Sequence, residues 1–264
     1  EIHWRDWSSD VCSSDLAKLE QQQWQLNVRR DQYSDLGDAN TWYAGYAYFI
    51  TPALRVKASA STGFMAPTFN DLYYPWGGNR LLKPEQARSH EMGLQYTQAS
   101  WNARLTAFEN RYTDLIDNDA NWVRTNIAKA KNQGVEVALT GAWQLPGIGQ
   151  QQWRFSFTSQ DPQNEVSHQA LVRRAKTLAQ AGLSQRLGDW DTGMQWRYTG
   201  ARTDNAQTLK SYAVLDLTAS QALTPELRLN LRLENAGNAN YQTIYGYNMP
   251  KRGVFAGLKW TPKF

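Results

Sequence analysis

From residue 16 to its end the chain alternates apolar and polar positions with a period of two. In the final segment, Arg252 to Phe264, one side reads Val254, Ala256, Leu258, Trp260, Pro262 and Phe264. The other side reads Gly253, Phe255, Gly257, Lys259, Thr261 and Lys263. Successive side chains of a β-strand point to opposite faces, so this period predicts strands rather than helices. The same register recurs upstream at Trp24-Leu26-Val28, at Trp42 to Ile50, and at Leu54-Val56-Ala58-Ala60. It continues at Met92-Leu94-Tyr96, Trp101 to Ala107, Val135-Val137-Leu139 and Trp153-Phe155-Phe157. Ala179-Ala181-Leu183, Met194-Trp196-Tyr198, Ala213 to Ala219 and Leu227 to Leu233 complete the set. With the closing segment, about twelve strands of roughly ten residues each are predicted.

Alternation alone fits a half-buried soluble sheet as well as a membrane wall. Opposite Leu54 to Ala60 stand Arg55, Lys57, Ser59 and Ser61, a row whose burial in a dry core would be prohibitive. The connections also alternate in length. Short ones fall at Thr51-Pro52, Gln98-Ala99-Ser100, Leu145-Pro146-Gly147, Gly188-Asp189 and Leu223-Thr224-Pro225. Longer ones run near 31–41, 62–88, 112–124, 159–172, 199–210 and 236–251. Short turns on one side and long loops on the other are the rhythm of an outer-membrane barrel, with Phe264 ending its closing strand. The expected fold is therefore all-β, an antiparallel transmembrane β-barrel.

Composition changes the picture in three places. Mean hydropathy is negative, which argues against helical spans but not against a barrel, where only every second residue meets lipid. Twelve Trp and thirteen Tyr supply the residues that favour membrane–water interfaces. The first sixteen residues match nothing that follows. Their run Trp4 to Leu16 resembles translated sequencing-adapter DNA, so 1–16 is set aside as a non-native segment and 17–264 is treated as barrel. Removing its one Arg and four acids raises the formal charge from +4 to +7, too diffuse an excess to suggest nucleic acid. Cys12 is the only cysteine, which excludes a disulfide framework.

The loop opening at Ser61 carries a more specific pattern. Gly63-Phe64-Met65-Ala66-Pro67-Thr68-Phe69-Asn70-Asp71-Leu72-Tyr73 is followed by Asn79-Arg80-Leu81-Leu82-Lys83-Pro84-Glu85 and Glu91. Tyr112-Thr113-Asp114-Leu115-Ile116 comes next, then Asn126-Ile127-Ala128-Lys129-Ala130 with Gly134-Val135-Glu136, and finally Glu234-Asn235-Ala236-Gly237 to Tyr241. These five motifs, in this order, resemble those of TonB-dependent outer-membrane receptors. Tyr241 to Tyr247 followed by Pro250 and Arg252, and the run Arg173-Arg174-Ala175-Lys176, are most similar to the vitamin B12 (cobalamin) receptors of that family. Two departures stand beside the likeness. Ala236-Gly237 replaces the usual Leu-Phe, and Asp204-Asn205-Ala206-Gln207 lacks the aromatic that cobalamin receptors place near the corrinoid.

The resemblance implies a barrel of about 22 strands plugged by an N-terminal domain, of which this chain supplies the C-terminal twelve. Whether those twelve stay an open curved sheet or close on themselves is left open. It implies residence in the outer membrane of a Gram-negative bacterium, in contact with lipid. The implied function is uptake of cobalamin, or of an iron chelate of similar size, energised by the TonB complex acting through the absent plug. A siderophore or haem receptor is the alternative within the family. A complete twelve-stranded autotransporter translocator or outer-membrane phospholipase is the alternative outside it.

By resemblance Arg173 is the substrate-binding member of its run, and pairing with a nearby carboxylate is its plainer reading. Tyr73, Trp76, Trp122, Tyr245 and Tyr247 lie in or near outer loops, where they could stack on a flat macrocycle or anchor at an interface. Ala66-Pro67 and Lys83-Pro84-Glu85 are read as shaping a long loop. Enzymatic readings find no support. His90 and His168 are the only histidines past residue 16, and Ser167-His168 would also need an orienting partner in space to act as nucleophile and base. No calcium-loop spacing is present, and two scattered histidines make no transition-metal site; no cofactor is implied.

Overall fold

A computed structural model describes residues 9–33, 37–118, 123–126, 129–145, 149–204 and 207–262. The first strands are β1 (Ser9–Leu19), β2 (Gln22–Tyr33), β3 (Gly37–Phe49) and β4 (Leu54–Met65), then the short helix α1 (Phe69–Tyr73). Next come β5 (Glu85–Thr97), β6 (Trp101–Thr113), β7 (Ile116–Asn118), β8 (Arg124–Asn126), β9 (Ala130–Leu145) and β10 (Gly149–Asn164). They are followed by β11 (Thr177–Leu187), β12 (Trp190–Thr199), β13 (Arg202–Asp204), β14 (Gln207–Leu209) and β15 (Tyr212–Ala222). The last are β16 (Leu227–Glu234), β17 (Gln242–Ile244), β18 (Tyr247–Asn248) and β19 (Gly253–Trp260).

Thirteen of these form one sheet in the order β1-β2-β3-β4-β5-β6-β9-β10-β11-β12-β15-β16-β19. All twelve strands expected from the alternation are present. The thirteenth, β1, lies mostly in the segment set aside above, and its backbone pairs antiparallel with β2 from Ser9↔Gln32 to Leu19↔Gln22. Three small hairpins, β7–β8, β13–β14 and β17–β18, sit inside long connections and were not foreseen. The connection near 31–41 is shorter than expected, because β2 and β3 stay paired as far as Tyr33↔Gly37.

The chain divides into two compact units: Glu1–Gln95, Thr106–Gly134 and Asp161–Ala170, and Tyr96–Leu105, Val135–Gln160 and Leu171–Phe264. In the first, register aligns the apolar positions into rows. Trp24 faces Tyr46, and Tyr46 faces Ala58. The Trp24 and Tyr46 rings lie 4.3 Å apart. The intervening positions form a polar row, Gln25 to Gly45 to Ser59. Arg55 of that face donates to Gln95 Oε1 at 2.8 Å.

In the second unit one apolar row crosses six strands, Trp153, Leu183, Met194, Leu217, Leu233 and Val254, each opposite the next. The adjoining polar row is Arg154, Gly182, Gln195 and Asp216. Arg154 donates to Gln195, and Arg197 Nη2 donates to Asp216 Oδ2 at 2.6 Å. A slip of one residue would exchange the two faces, so the pattern fixes the register.

The apolar rows are not a core. Trp24, Leu26 and Val28 are about half exposed, and Val254, Leu258 and Trp260 are 77%, 66% and 69% exposed. Among the described residues the buried apolar ones are Leu82, Leu209, Val214, Pro67, Pro162 and five alanines. An aqueous domain of this length would bury far more large side chains. The exposed rows are therefore the mark of a sheet with one apolar and one polar face, the two-faced pattern of a barrel wall.

Two turns share one device. At Ile50-Thr51-Pro52-Ala53-Leu54 the Thr51 hydroxyl accepts from Ala53 N (3.3 Å) and Leu54 N (3.0 Å). At Leu223-Thr224-Pro225-Glu226-Leu227 the Thr224 hydroxyl accepts from Glu226 N (3.2 Å) and Leu227 N (3.0 Å). Proline presets the backbone of the turn and the threonine oxygen takes amides that lie beyond the ladder. Gly188, at φ +58°, supplies the left-handed position between Leu187 and Trp190, which face one another.

Asn235 organises the last long loop. It is buried, sits at φ +47°, and accepts from Ala239 N at 2.8 Å. Its amide donates to Ala239 O (2.9 Å) and Pro250 O (3.3 Å), while its backbone N–H donates to Asp216 Oδ1 at 2.9 Å. Asn235→Ala should lower the unfolding free energy by about 3 kcal/mol, because buried partners are orphaned and alanine resists the left-handed backbone. Urea unfolding in detergent micelles, followed by tryptophan fluorescence, measures this. A change below about 0.5 kcal/mol, the level of an ordinary surface substitution, would show that the loop does not depend on Asn235.

Candidate functional site

In the first unit the motif residues build a loop. Ala66-Pro67 leads into Thr68, which caps α1 in a capping box: Asp71 N donates to Thr68 Oγ1 (3.2 Å) and Thr68 N donates to Asp71 Oδ2 (2.9 Å). Asp71 also pairs with Arg124 Nε at 3.1 Å. Asn79 Nδ2 donates to Arg124 O at 2.9 Å. Asn126 accepts from Lys83 N (2.8 Å) and donates to Lys83 O (2.8 Å) and Asp114 O (2.6 Å). Glu85 Oε1 accepts from Ile116 N at 2.8 Å. These residues spend their polar groups on the protein itself, which matches the loop-shaping role expected of Lys83-Pro84-Glu85.

Tyr73 and Trp76 ride on this scaffold. The Arg80 guanidinium lies 4.9 Å from the Tyr73 ring centroid, and Tyr74 meets Trp76 edge-on at 6.0 Å. Trp76 is 82% exposed, so a large flat apolar surface stands free on the loop. Trp122 lies outside the described residues.

In the second unit the loops bring Arg173, Tyr245 and Tyr247 onto one connected framework. Arg173 has a left-handed backbone, φ +60°, and its N–H donates to Thr203 O at 2.7 Å. Its Nε donates to Asp204 Oδ1, also at 2.7 Å. The other oxygen of the same carboxylate, Oδ2, accepts from Tyr245 N at 2.8 Å. Tyr245 begins the turn of the β17–β18 hairpin, and Tyr247 is exposed on β18.

Arg202 reinforces the framework. Its Nη2 donates to Gln242 O at 2.8 Å, and its guanidinium lies 5.4 Å from the Tyr212 ring centroid. Tyr212 in turn stacks on Tyr241 at 4.3 Å. A cavity of about 220 Å³ beside them is lined by Lys210, Tyr241, Gln242, Tyr245 and Asn248, among others. It is too small to enclose a macrocycle and suits a side group. A larger concavity of about 820 Å³ lies on the sheet, lined by small and polar residues such as Ser100, Arg154, Gln195 and Thr218 together with Trp101, Trp153, Leu183 and Met194.

Asp204 and Arg202 were missed in the sequence. Asp204 was noticed only as part of a stretch lacking an aromatic. No local signal joins it to Arg173, 31 positions earlier. Among the described residues no group of three or more His, Cys, Asp or Glu could hold a metal.

The Tyr245 amide, and after it the Arg173 guanidinium, hold the Asp204 carboxyl below the usual carboxylate range. A lowered folded-state value adds stability above the unfolded value of about 3.9, and that stability fades as pH falls through the folded value. Protease resistance of the three loops should therefore stay constant from about pH 8 to 5 and fall only below about pH 4. Asp204→Asn should loosen them from about pH 8 to 5 and remove the acid transition. A transition in the wild type near pH 6 would point to a different controlling group.

The chain matches the family described as TonB dependent receptor-like, beta-barrel, over residues 8–236. It is 30% identical over 257 residues to the vitamin B12 transporter BtuB of Photobacterium profundum, covering 93% of this chain and 42% of that protein. It is 31% identical over 242 residues to the protein of the same name from Vibrio vulnificus, covering 89% of this chain and 38% of the relative. The chain thus spans about two fifths of the length of these curated relatives. Among solved structures it resembles a mutant (G324V) of the ferric enterobactin receptor PfeA of Pseudomonas aeruginosa, with a TM-score of 0.77 at 18% identity. That match covers 95% of this chain and 44% of the receptor. The copper transporter OprC gives a TM-score of 0.73 at 16% identity, covering 92% of this chain and 46% of that one.

Proposed function

The chain belongs to the TonB-dependent receptor family, as a portion of its β-barrel, and from that premise we propose that it serves the energised uptake of cobalamin across an outer membrane. The family is one of outer-membrane receptors and transporters of Gram-negative bacteria rather than enzymes. The observation that carries the choice of cargo is the identity to relatives named as vitamin B12 transporters, 30 and 31% over roughly nine tenths of the chain. The solved ferric enterobactin receptor and copper transporter share the fold at 18 and 16% identity, a level that says nothing about cargo.

In this reading the exposed apolar rows meet lipid and the polar rows face water. Arg173 offers guanidinium donors to an acceptor on the cargo, such as a carboxamide of a corrinoid. Tyr245 and Tyr247 on the same framework, and Tyr73 and Trp76 on the first unit's loop, offer flat faces to the macrocycle. The energy comes from the TonB complex, acting through a plug domain.

Titration of purified protein, expressed from its complete gene, with cyanocobalamin and separately with ferric enterobactin tests the cargo. Saturable binding of cyanocobalamin alone is expected, weakened about tenfold by Arg173→Ala, the loss of one charge-assisted contact. Binding of ferric enterobactin without cyanocobalamin would move the cargo to a siderophore while leaving the family unchanged.

A further inference from the structure

Arg173 is gripped at two consecutive residues of the neighbouring loop: its backbone N–H by Thr203 O and its side-chain Nε by Asp204 Oδ1, both at 2.7 Å. The carboxylate that holds it is 2% exposed at the side chain, whereas the Arg173 side chain is 47% exposed. The anchor is buried and the working end is open. The second carboxylate oxygen takes the Tyr245 amide, so a single group fastens the connection at 171–176 and the hairpin at 242–248 to β13. We propose that Asp204 is the positioning residue of the cargo site, fixing the Arg173 guanidinium and locking the two flanking loops into one rim; this rests on the cobalamin reading above.

Three further features support it. A non-glycine residue keeps a left-handed backbone only where its surroundings hold it there, and Arg173 does so at φ +60°. Asp204 engages Nε alone. Among the described residues the side-chain hydrogen bond of Arg173 is made through Nε, which leaves the two terminal nitrogens of a half-exposed, planar guanidinium available to donate. The carboxylate also offsets the guanidinium charge. The terminal nitrogens that remain can donate to an acceptor oxygen of the cargo, such as that of a carboxamide. Asp204 reaches the cargo through Arg173 and does not touch it.

A double-mutant cycle on protein from the complete gene tests the first half of the proposal. Asp204→Asn should weaken cyanocobalamin binding about tenfold, and Arg173→Ala/Asp204→Asn should be no weaker than Arg173→Ala alone. A second tenfold loss in the double variant would show that Asp204 acts independently of Arg173, and would overturn the assignment. The second half needs no cargo. Nitroxides on Val172→Cys and Tyr247→Cys, with any other cysteine replaced by serine, should give a narrow distance distribution by pulsed electron paramagnetic resonance that broadens in Asp204→Asn. An unchanged narrow distribution would overturn the rim. Asp204→Glu, which displaces the carboxylate by one methylene, should show both effects in smaller measure, and it stands in if Asp204→Asn does not fold. Absence of any corrinoid binding by the wild type would sink the cargo reading alone, since the distance measurement still decides whether Asp204 ties the loops.

Discussion

A chain that crosses lipid must satisfy each backbone N–H and C=O from within, because a bilayer interior offers no water to bond with. Consecutive antiparallel strands answer that demand with local pairings, and the sheet here follows chain order wherever loop hairpins do not intervene. Once the backbone is satisfied by ladders, side chains are free to alternate. The rows Trp153 to Val254 and Arg154 to Asp216 are that alternation read across the strands. The same constraint favours brief turns that complete their own hydrogen bonding, as Thr51 and Thr224 do with their hydroxyls. It also explains why so few large side chains are buried.

Beyond the ladder ends that economy stops, and short polar side chains take over. Asp71, Asn79 and Asn126 stitch the loops of the first unit by bonding to backbone groups or to one arginine. Asp204 and Asn235 do the same in the second unit. Asn and Asp suit the task because they are short, tolerate left-handed backbone and present acceptors close to the main chain. Most of the family motifs are therefore architectural. The exposed side chains of Arg173, Trp76 and Tyr247 lie beside the stitches.

This division sets what could be read in the sequence. Strands were legible because membrane exposure forces a strict period of two, and Leu227 to Leu233 admits only one facing. Loop-shaping residues were legible through resemblance, and Glu85 and Asn126 sit where such a role requires. The small hairpins escaped notice because strands of two or three residues carry no period. Gln242–Ile244 and Tyr247–Asn248 are held by Gly246 at φ +85° and by side chains from elsewhere. Asp204 escaped because its partners lie far away in sequence, and an isolated acid in a polar loop resembles any solvated residue. Arg173 was found by likeness, and its plainer reading, pairing with a carboxylate, is also what the geometry contains.

Asn235 fastens the start of its loop to Ala239 and the loop's end to Pro250, while its backbone leans on Asp216 of the adjoining strand. The segment between Glu234 and Gly253 is thus tied to itself at Asn235 and held to the rest of the second unit by Asp216, Arg202 and Asp204. A change in this loop must therefore suit side chains of other strands and loops, whereas the wall beneath is held by its own backbone ladder. Divergence at these loops is thus coupled across several segments, while the strands answer to the separate and simpler rule of alternation.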